Sequence, residues 1–99
     1  MARVTRAALI QASNDESPDS SIDKIKSVMI DKHVALIKEA ADKGAQVTCL
    51  QEIFYGPYFC AEEDTRWHES AERVPDGPTI KLMQELAKQH NMILIVPVY

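Results

Sequence analysis

Glu52 closes a short apolar segment, Ala45 to Leu50, and runs at once into an aromatic stretch, Phe54-Tyr55-Gly56-Pro57-Tyr58-Phe59. A carboxylate delivered from the end of a buried strand beside aromatic rings is expected to be partly desolvated, which raises its pKa towards the range suited to proton transfer. The architectural alternatives are that Glu52 caps a turn or pairs with an arginine. Other groups with chemical potential are more scattered. Cys49 falls inside the apolar segment, where it is expected to pack as a small hydrophobe, whereas Cys60 falls in the loop and is expected to be open enough to react. Neither has a histidine beside it in sequence. His33, His68 and His90 match neither HExxH nor a finger spacing, and read as a helix-face residue, a loop polar group and a cation near a helix end. The glycines Gly44, Gly56 and Gly77 fit neither GxGxxG nor GxxxxGK, so the usual phosphate cradles are missing. Trp67 could line a pocket with the aromatic stretch, but packing of the loop is the stronger expectation. The acidic run Glu62-Glu63-Asp64 reads as a solvated face.

These residues need elements to position them. Val4 to Ala12 carries a continuous apolar stretch and is expected to be a strand covered on both faces. Ser13 to Ser21 is a cluster of turn formers and reads as a solvated loop. From about Ser21 to Lys43 the apolar residues recur at helical spacing, with Ile22, Ile25, Met29, Leu36 and Ala40 in one row and Ile30, Val34, Ile37 and Ala41 in the next. Ser20 or Ser21 serves as N-cap, Asp23 suits the first turn, Glu39 and Lys43 make an i,i+4 pair, and Gly44 supplies the left-handed residue that ends the helix. Ala45 to Leu50 is a second strand. Ile53 to Asp76 is an irregular excursion with one helical turn around Ala61 to His68. Asp76-Gly77-Pro78-Thr79 starts a second helix with the stripe Ile80, Met83, Leu86 and Ala87, closed by Asn91. Met92 to Val96 is a third strand. Alternating strands and helices predict an α/β fold with right-handed crossovers onto a parallel sheet. In such sheets ligands collect at the carboxyl ends of the strands, here Gln11-Ala12, Gln51-Glu52 and Pro97-Tyr99.

The composition agrees with a domain of this kind and narrows its partners. In 99 residues, 45% are hydrophobic and 26% charged, the usage of ordinary globular domains. Eleven basic against fifteen acidic residues leave a net charge of -4, so no positive field attracts nucleic acid. No apolar run approaches the roughly 18 residues that span a bilayer, so no membrane partner is expected. Two cysteines are too few for a stapled secreted scaffold, and a reducing, cytoplasmic setting is expected.

The succession Gln51-Glu52-Ile53-Phe54-Tyr55-Gly56-Pro57-Tyr58-Phe59-Cys60, followed by Pro75-Asp76-Gly77-Pro78-Thr79, resembles the nitrilase superfamily of carbon-nitrogen hydrolases over essentially the whole chain. Within it, the order Gln-Glu, Pro-x-x-Phe-Cys, Asp-Gly-Pro-Thr is most similar to the β-ureidopropionase branch, with N-carbamoylputrescine amidases as near neighbours. The resemblance implies the N-terminal β-α-β-α-β portion of an αββα sandwich, so that residues 1–99 are an incomplete domain. It implies a glutamate, lysine and cysteine active site, with Glu52 in the glutamate's position and the lysine and nucleophile beyond Tyr99. Cys60 is not where the family places its nucleophile. It further implies a small N-carbamoyl amine or amide substrate, no metal or organic cofactor, and assembly as a homo-oligomer. Tyr58 and Phe59, after the Gly56-Pro57 turn, are expected to form one wall of the pocket. On these terms the chain alone is expected to be inactive, the alternative being a non-catalytic binding or assembly module of the same descent.

Overall fold

A computed structural model describes residues 3–56 and 64–99 of the chain. Strand β1 spans Ala7–Leu9, helix α1 Ile22–Asp42, strand β2 Val47–Cys49, helix α2 Pro78–Gln89 and strand β3 Ile93–Ile95, with a 3-10 helix at Thr65–Ser70 before α2. The sheet has the order β1-β2-β3, and both pairs are parallel, with Ala8, Thr48 and Leu94 in register. The α/β class, the element order and the parallel pairing agree with the expectations from sequence.

Local chemistry explains the helix limits. Ser21 is the N-cap of α1, its hydroxyl accepting from the Lys24 amide, and Asp23 occupies the first turn. Both helices end in the same way. After α1, the Gly44 amide donates to Ala41 and the Ala45 amide to Ala40, with Gly44 at φ 84°; after α2, the Asn91 amide donates to Lys88 and the Met92 amide to Ala87, with Asn91 at φ 50°. This doubled bond pattern around a left-handed residue satisfies carbonyls the helix leaves open. Helix α2 starts with Pro78 behind the N-cap Gly77. A Cβ at Gly77 would lie 2.6 Å from the Arg73 carbonyl oxygen, so the tight approach of the preceding loop requires glycine.

Helix α1 buries Ile25, Met29, His33, Ile37 and Ala40, and α2 buries Thr79, Met83 and Leu86. Full burial of an aliphatic side chain such as Ile37 contributes about 1.5–3 kcal/mol, so Ile37→Ala would damage this packing. His33, expected on a helix face, stands on α1 and is fully buried in the stripe. Its Nδ1–H donates to the carbonyl of Met29, one turn earlier, at 2.7 Å, and its ring stands edge-on to Phe54. That bond to its own helix satisfies one ring nitrogen and lets a polar residue occupy an apolar row.

The sheet is not covered on both faces, contrary to expectation. Ala8, Thr48 and Leu94 turn inward, while Leu9, Ile93 and Ile95 are 85%, 64% and 48% exposed. The cause is topological. Two successive right-handed crossovers between neighbouring parallel strands bring both helices to one face, and the alternation of the strands aims every second side chain away from them. Cys49 lies in that outward row and is half-buried rather than buried. Among the described residues no helix is long and apolar enough to cross a membrane.

Candidate active site

The carboxyl ends of the three strands are tied to one another just where β2 runs out. The amide of Ile10 donates to Cys49 and that of Leu50 to Ile95, which extends both ladders by a residue. The Gln51 side chain then reaches sideways, its Oε1 accepting from the Ala12 amide at 2.7 Å. Gln51 thus fastens the end of β2 to the end of β1.

Beyond this clamp the chain makes a turn, closed by the Gly56 amide on the Ile53 carbonyl at 3.4 Å. Ile53 has φ 48°, in the left-handed region that a β-branched residue avoids, a state that costs of order 1–3 kcal/mol. Burial of three consecutive side chains offsets this, because Ile53, Phe54 and Tyr55 are 8%, 0% and 0% exposed. Phe54 stacks on Tyr55 with ring centres 5.5 Å apart. With those three turned inward, Glu52 is left outward.

Glu52 is accordingly exposed, so the expected partial desolvation is not found. Neither of the architectural alternatives is realised among the described residues, where Glu52 makes no hydrogen bond and no ion pair. Two described grooves, one between β1 and α1 and one between α2 and β3, flank the open sheet edges and do not include Glu52. The expected pocket residues Tyr58 and Phe59, and Cys60, lie outside the described residues. Trp67 is buried on the 3-10 helix beneath the Arg66 guanidinium, so it serves packing. Asp64 caps that helix through the Arg66 amide, and His68 stands on it, exposed. His90 occupies the C-cap of α2.

A second carboxylate, which the sequence reading did not single out, has the opposite surroundings. The Glu72 side chain is only 5% exposed and pairs with the Lys26 ammonium of α1. It also accepts from the amide of Thr79, at 2.7 Å, and from the Thr79 hydroxyl, so it caps the first turn of α2 from outside the helix. Burial alone would push the Glu72 carboxyl up, but the hydrogen bonds from Lys26 and Thr79 together outweigh it and hold the group below its ordinary 4.5. Lys26 also donates to the Ser70 carbonyl at 3.1 Å and lies 4.6 Å from the centre of the Tyr55 ring. Tyr55 completes the cluster, its hydroxyl lying 3.0 Å from the Ser70 carbonyl and 2.8 Å from the main-chain oxygen of Tyr99. Burial pushes the Tyr55 hydroxyl above its ordinary value, and the bond to Tyr99 draws it partly back.

Chemically, the arrangement offers a carboxylate without a polar partner among the described residues, on a fastened turn at the carboxyl end of the central strand, backed by a carboxylate committed to structure. Comparison with known proteins gives this geometry a context. Residues 6–99 match the carbon-nitrogen hydrolase family. The chain is 35% identical over 96 residues to a β-ureidopropionase from Arabidopsis thaliana, covering 97% of this chain and 23% of that protein. It is 35% identical over 72 residues to an N-carbamoylputrescine amidase from Oryza sativa subsp. japonica, covering 73% of this chain and 24% of that protein. It is 38% identical over 74 residues to the omega-amidase NIT2-A of Xenopus laevis, covering 75% of this chain and 25% of that protein. The chain therefore spans about a quarter of the length of these relatives.

Proposed function

The chain belongs to the carbon-nitrogen hydrolase family, and from that premise we propose that it carries the proton-transfer glutamate, Glu52, of an N-carbamoyl amine hydrolase. The observation that carries the reading is the position of Glu52: an exposed carboxylate with no polar partner among the described residues, on a turn fastened by Gln51 and three buried side chains, at the carboxyl end of the middle strand of a parallel sheet. In the reaction, Glu52 takes the proton of a cysteine thiol supplied by another part of the hydrolase domain. The thiolate attacks the carbamoyl carbon, and a lysine ammonium, also from elsewhere, stabilises the oxyanion. Glu52 returns its proton to the leaving nitrogen, so ammonia departs and a carbamoylated cysteine remains. Water, deprotonated by the same carboxylate, releases the cysteine, and the resulting carbamic acid breaks down to carbon dioxide and the amine. Residues 1–99 are on this reading the N-terminal portion of the domain and do not turn over substrate alone.

N-carbamoyl-β-alanine is the proposed substrate, in line with the likeness to β-ureidopropionase over 97% of this chain. Hydrolysis of N-carbamoylputrescine is the second reading, favoured by an equal identity to the Oryza sativa amidase over a shorter stretch. Tyr58 and Phe59 are proposed to line the substrate pocket because they follow the Glu52 turn directly. The exposed Leu9, Ile93 and Ile95 are assigned on this reading to contact with the second sheet of the same sandwich, and assembly into a homo-oligomer is proposed from the family likeness alone. A cytoplasmic site of action belongs to the same proposal and accords with the free thiol of Cys49.

Ammonia release tests the proposal. The chain alone should release none from N-carbamoyl-β-alanine. Joined in frame to the part of the Arabidopsis thaliana β-ureidopropionase that follows the matched region, it should turn over N-carbamoyl-β-alanine faster than N-carbamoylputrescine. Turnover by the chain alone, or a joined hydrolase indifferent to loss of the Glu52 carboxylate, contradicts it.

A further inference from the structure

An exposed carboxylate on a surface turn ordinarily samples many positions, and proton transfer is sensitive to displacements of about 1 Å. The Glu52 turn is held against that freedom at two places. On one side Gln51 is fastened to Ala12. On the other, three residues after Glu52, the fully buried Tyr55 hydroxyl meets the main-chain oxygens of Ser70 and Tyr99 and lies 3.3 Å from the Tyr99 amide. These partners belong to the end of the 3-10 helix and to the segment after β3, and the Tyr99 oxygen is itself held by the Glu72 amide at 2.9 Å. The ring is fixed as well, stacked on Phe54 and lying near the ammonium of Lys26, itself held by Glu72 and the Ser70 carbonyl. Between the two fastenings sits Ile53 in a left-handed conformation that its own residue type disfavours, so the shape of the turn depends on anchors outside it.

We infer that Tyr55 is a positioning residue for Glu52: its hydroxyl, set between the main chain of Ser70 and that of Tyr99, holds the turn in the conformation that presents the carboxylate. The inference rests on the reading of Glu52 as the proton-transfer group. Removal of the hydroxyl lets the turn relax towards the backbone state that Ile53 prefers. It leaves the helical core, built on Met29, Ile37 and Met83, as it was.

Tyr55→Phe deletes only the hydroxyl and keeps the ring. In the 99-residue chain, exchange of the Gly56 amide, which closes the turn, is expected to quicken about tenfold, the scale of one lost buried hydrogen-bonding group. The 13C shifts of Ile53 should move away from left-handed values, while amides of Met29, Ile37 and Met83 stay within twofold of the parent. In the joined hydrolase the same variant should lower kcat about tenfold and leave KM within twofold, with Glu52→Gln as reference. Unchanged Gly56 exchange and Ile53 shifts, an equal quickening at Met29, Ile37 and Met83, or an unchanged kcat beside an inactive Glu52→Gln overturns the inference alone. A fully active Glu52→Gln hydrolase overturns the underlying reading and the positioning role with it, even where the exchange data show Tyr55 holding the turn.

Discussion

Two carboxylates lie near opposite ends of the loop that joins β2 to α2, and the chain treats them in contrary ways. Glu72 is nearly inaccessible, paired with Lys26 and bonded twice by Thr79, so its charge is used in holding α1 to the first turn of α2. Glu52 is exposed and has no polar partner among the described residues, although the residues on both sides of it are fixed by Gln51 and by the buried Ile53, Phe54 and Tyr55. Burial with full pairing commits a carboxylate to architecture, because any proton it exchanges breaks bonds that hold the fold. A carboxylate that is free while its backbone is held can exchange protons without that cost. The contrast is therefore between a group that maintains shape and a group that a maintained shape presents.

Breaking the two groups in turn should separate rate from stability. Glu52→Gln in the joined hydrolase is expected to lower the rate of ammonia release by about a thousandfold, within the range found for positioned acid-base groups, and to move the urea midpoint very little. Glu72→Gln is expected to do the reverse, costing about 2 kcal/mol of stability in urea titrations because Lys26 and Thr79 lose a charged acceptor. If both variants lower stability alike, the contrast fails.

Acid sharpens the distinction further. The Glu72 carboxyl titrates lower in the folded chain than its ordinary 4.5, so its stabilisation is complete above that value and is lost as pH falls through the lower folded value. Urea midpoints of the parent should decline below about pH 4.5, and Glu72→Gln should lack that part of the decline. A smaller effect is expected at the helix end after α2. Asn91→Ala places a Cβ-bearing residue without a local side-chain bond at φ 50° and should cost about 1 kcal/mol, whereas Asn91→Gly should cost nothing measurable by thermal melting.

Features governed by neighbours in sequence were legible. Ser21, Gly44, Pro78 and Asn91 announce the helix limits because capping and left-handed preference are properties of single residues and their adjacent turn. Parallel order followed from the alternation of elements. The place of His33 on a helix face was readable, whereas its full burial was not, because hydropathy counts it as polar and the bond to the Met29 carbonyl that makes it acceptable inside leaves no mark in the sequence. Glu72 went unnoticed because its charged partner Lys26 lies 46 positions away, and such pairing leaves no period in the sequence. The bare face of Leu9, Ile93 and Ile95 was missed because an apolar strand reads the same whether or not something covers it. At the candidate site the position of Glu52 at a strand end was readable, whereas its exposure depends on the left-handed Ile53, which residue preferences argue against.

The proton-transfer role of Glu52 is tested most directly by restoring its chemistry from solution. In the joined hydrolase carrying Glu52→Ala, ammonia release from N-carbamoyl-β-alanine should rise with added formate, a small carboxylate that fits the vacated space, and level off at high concentration, while the parent shows no such rise. A rate independent of formate, with the folded fraction unchanged, would contradict the role.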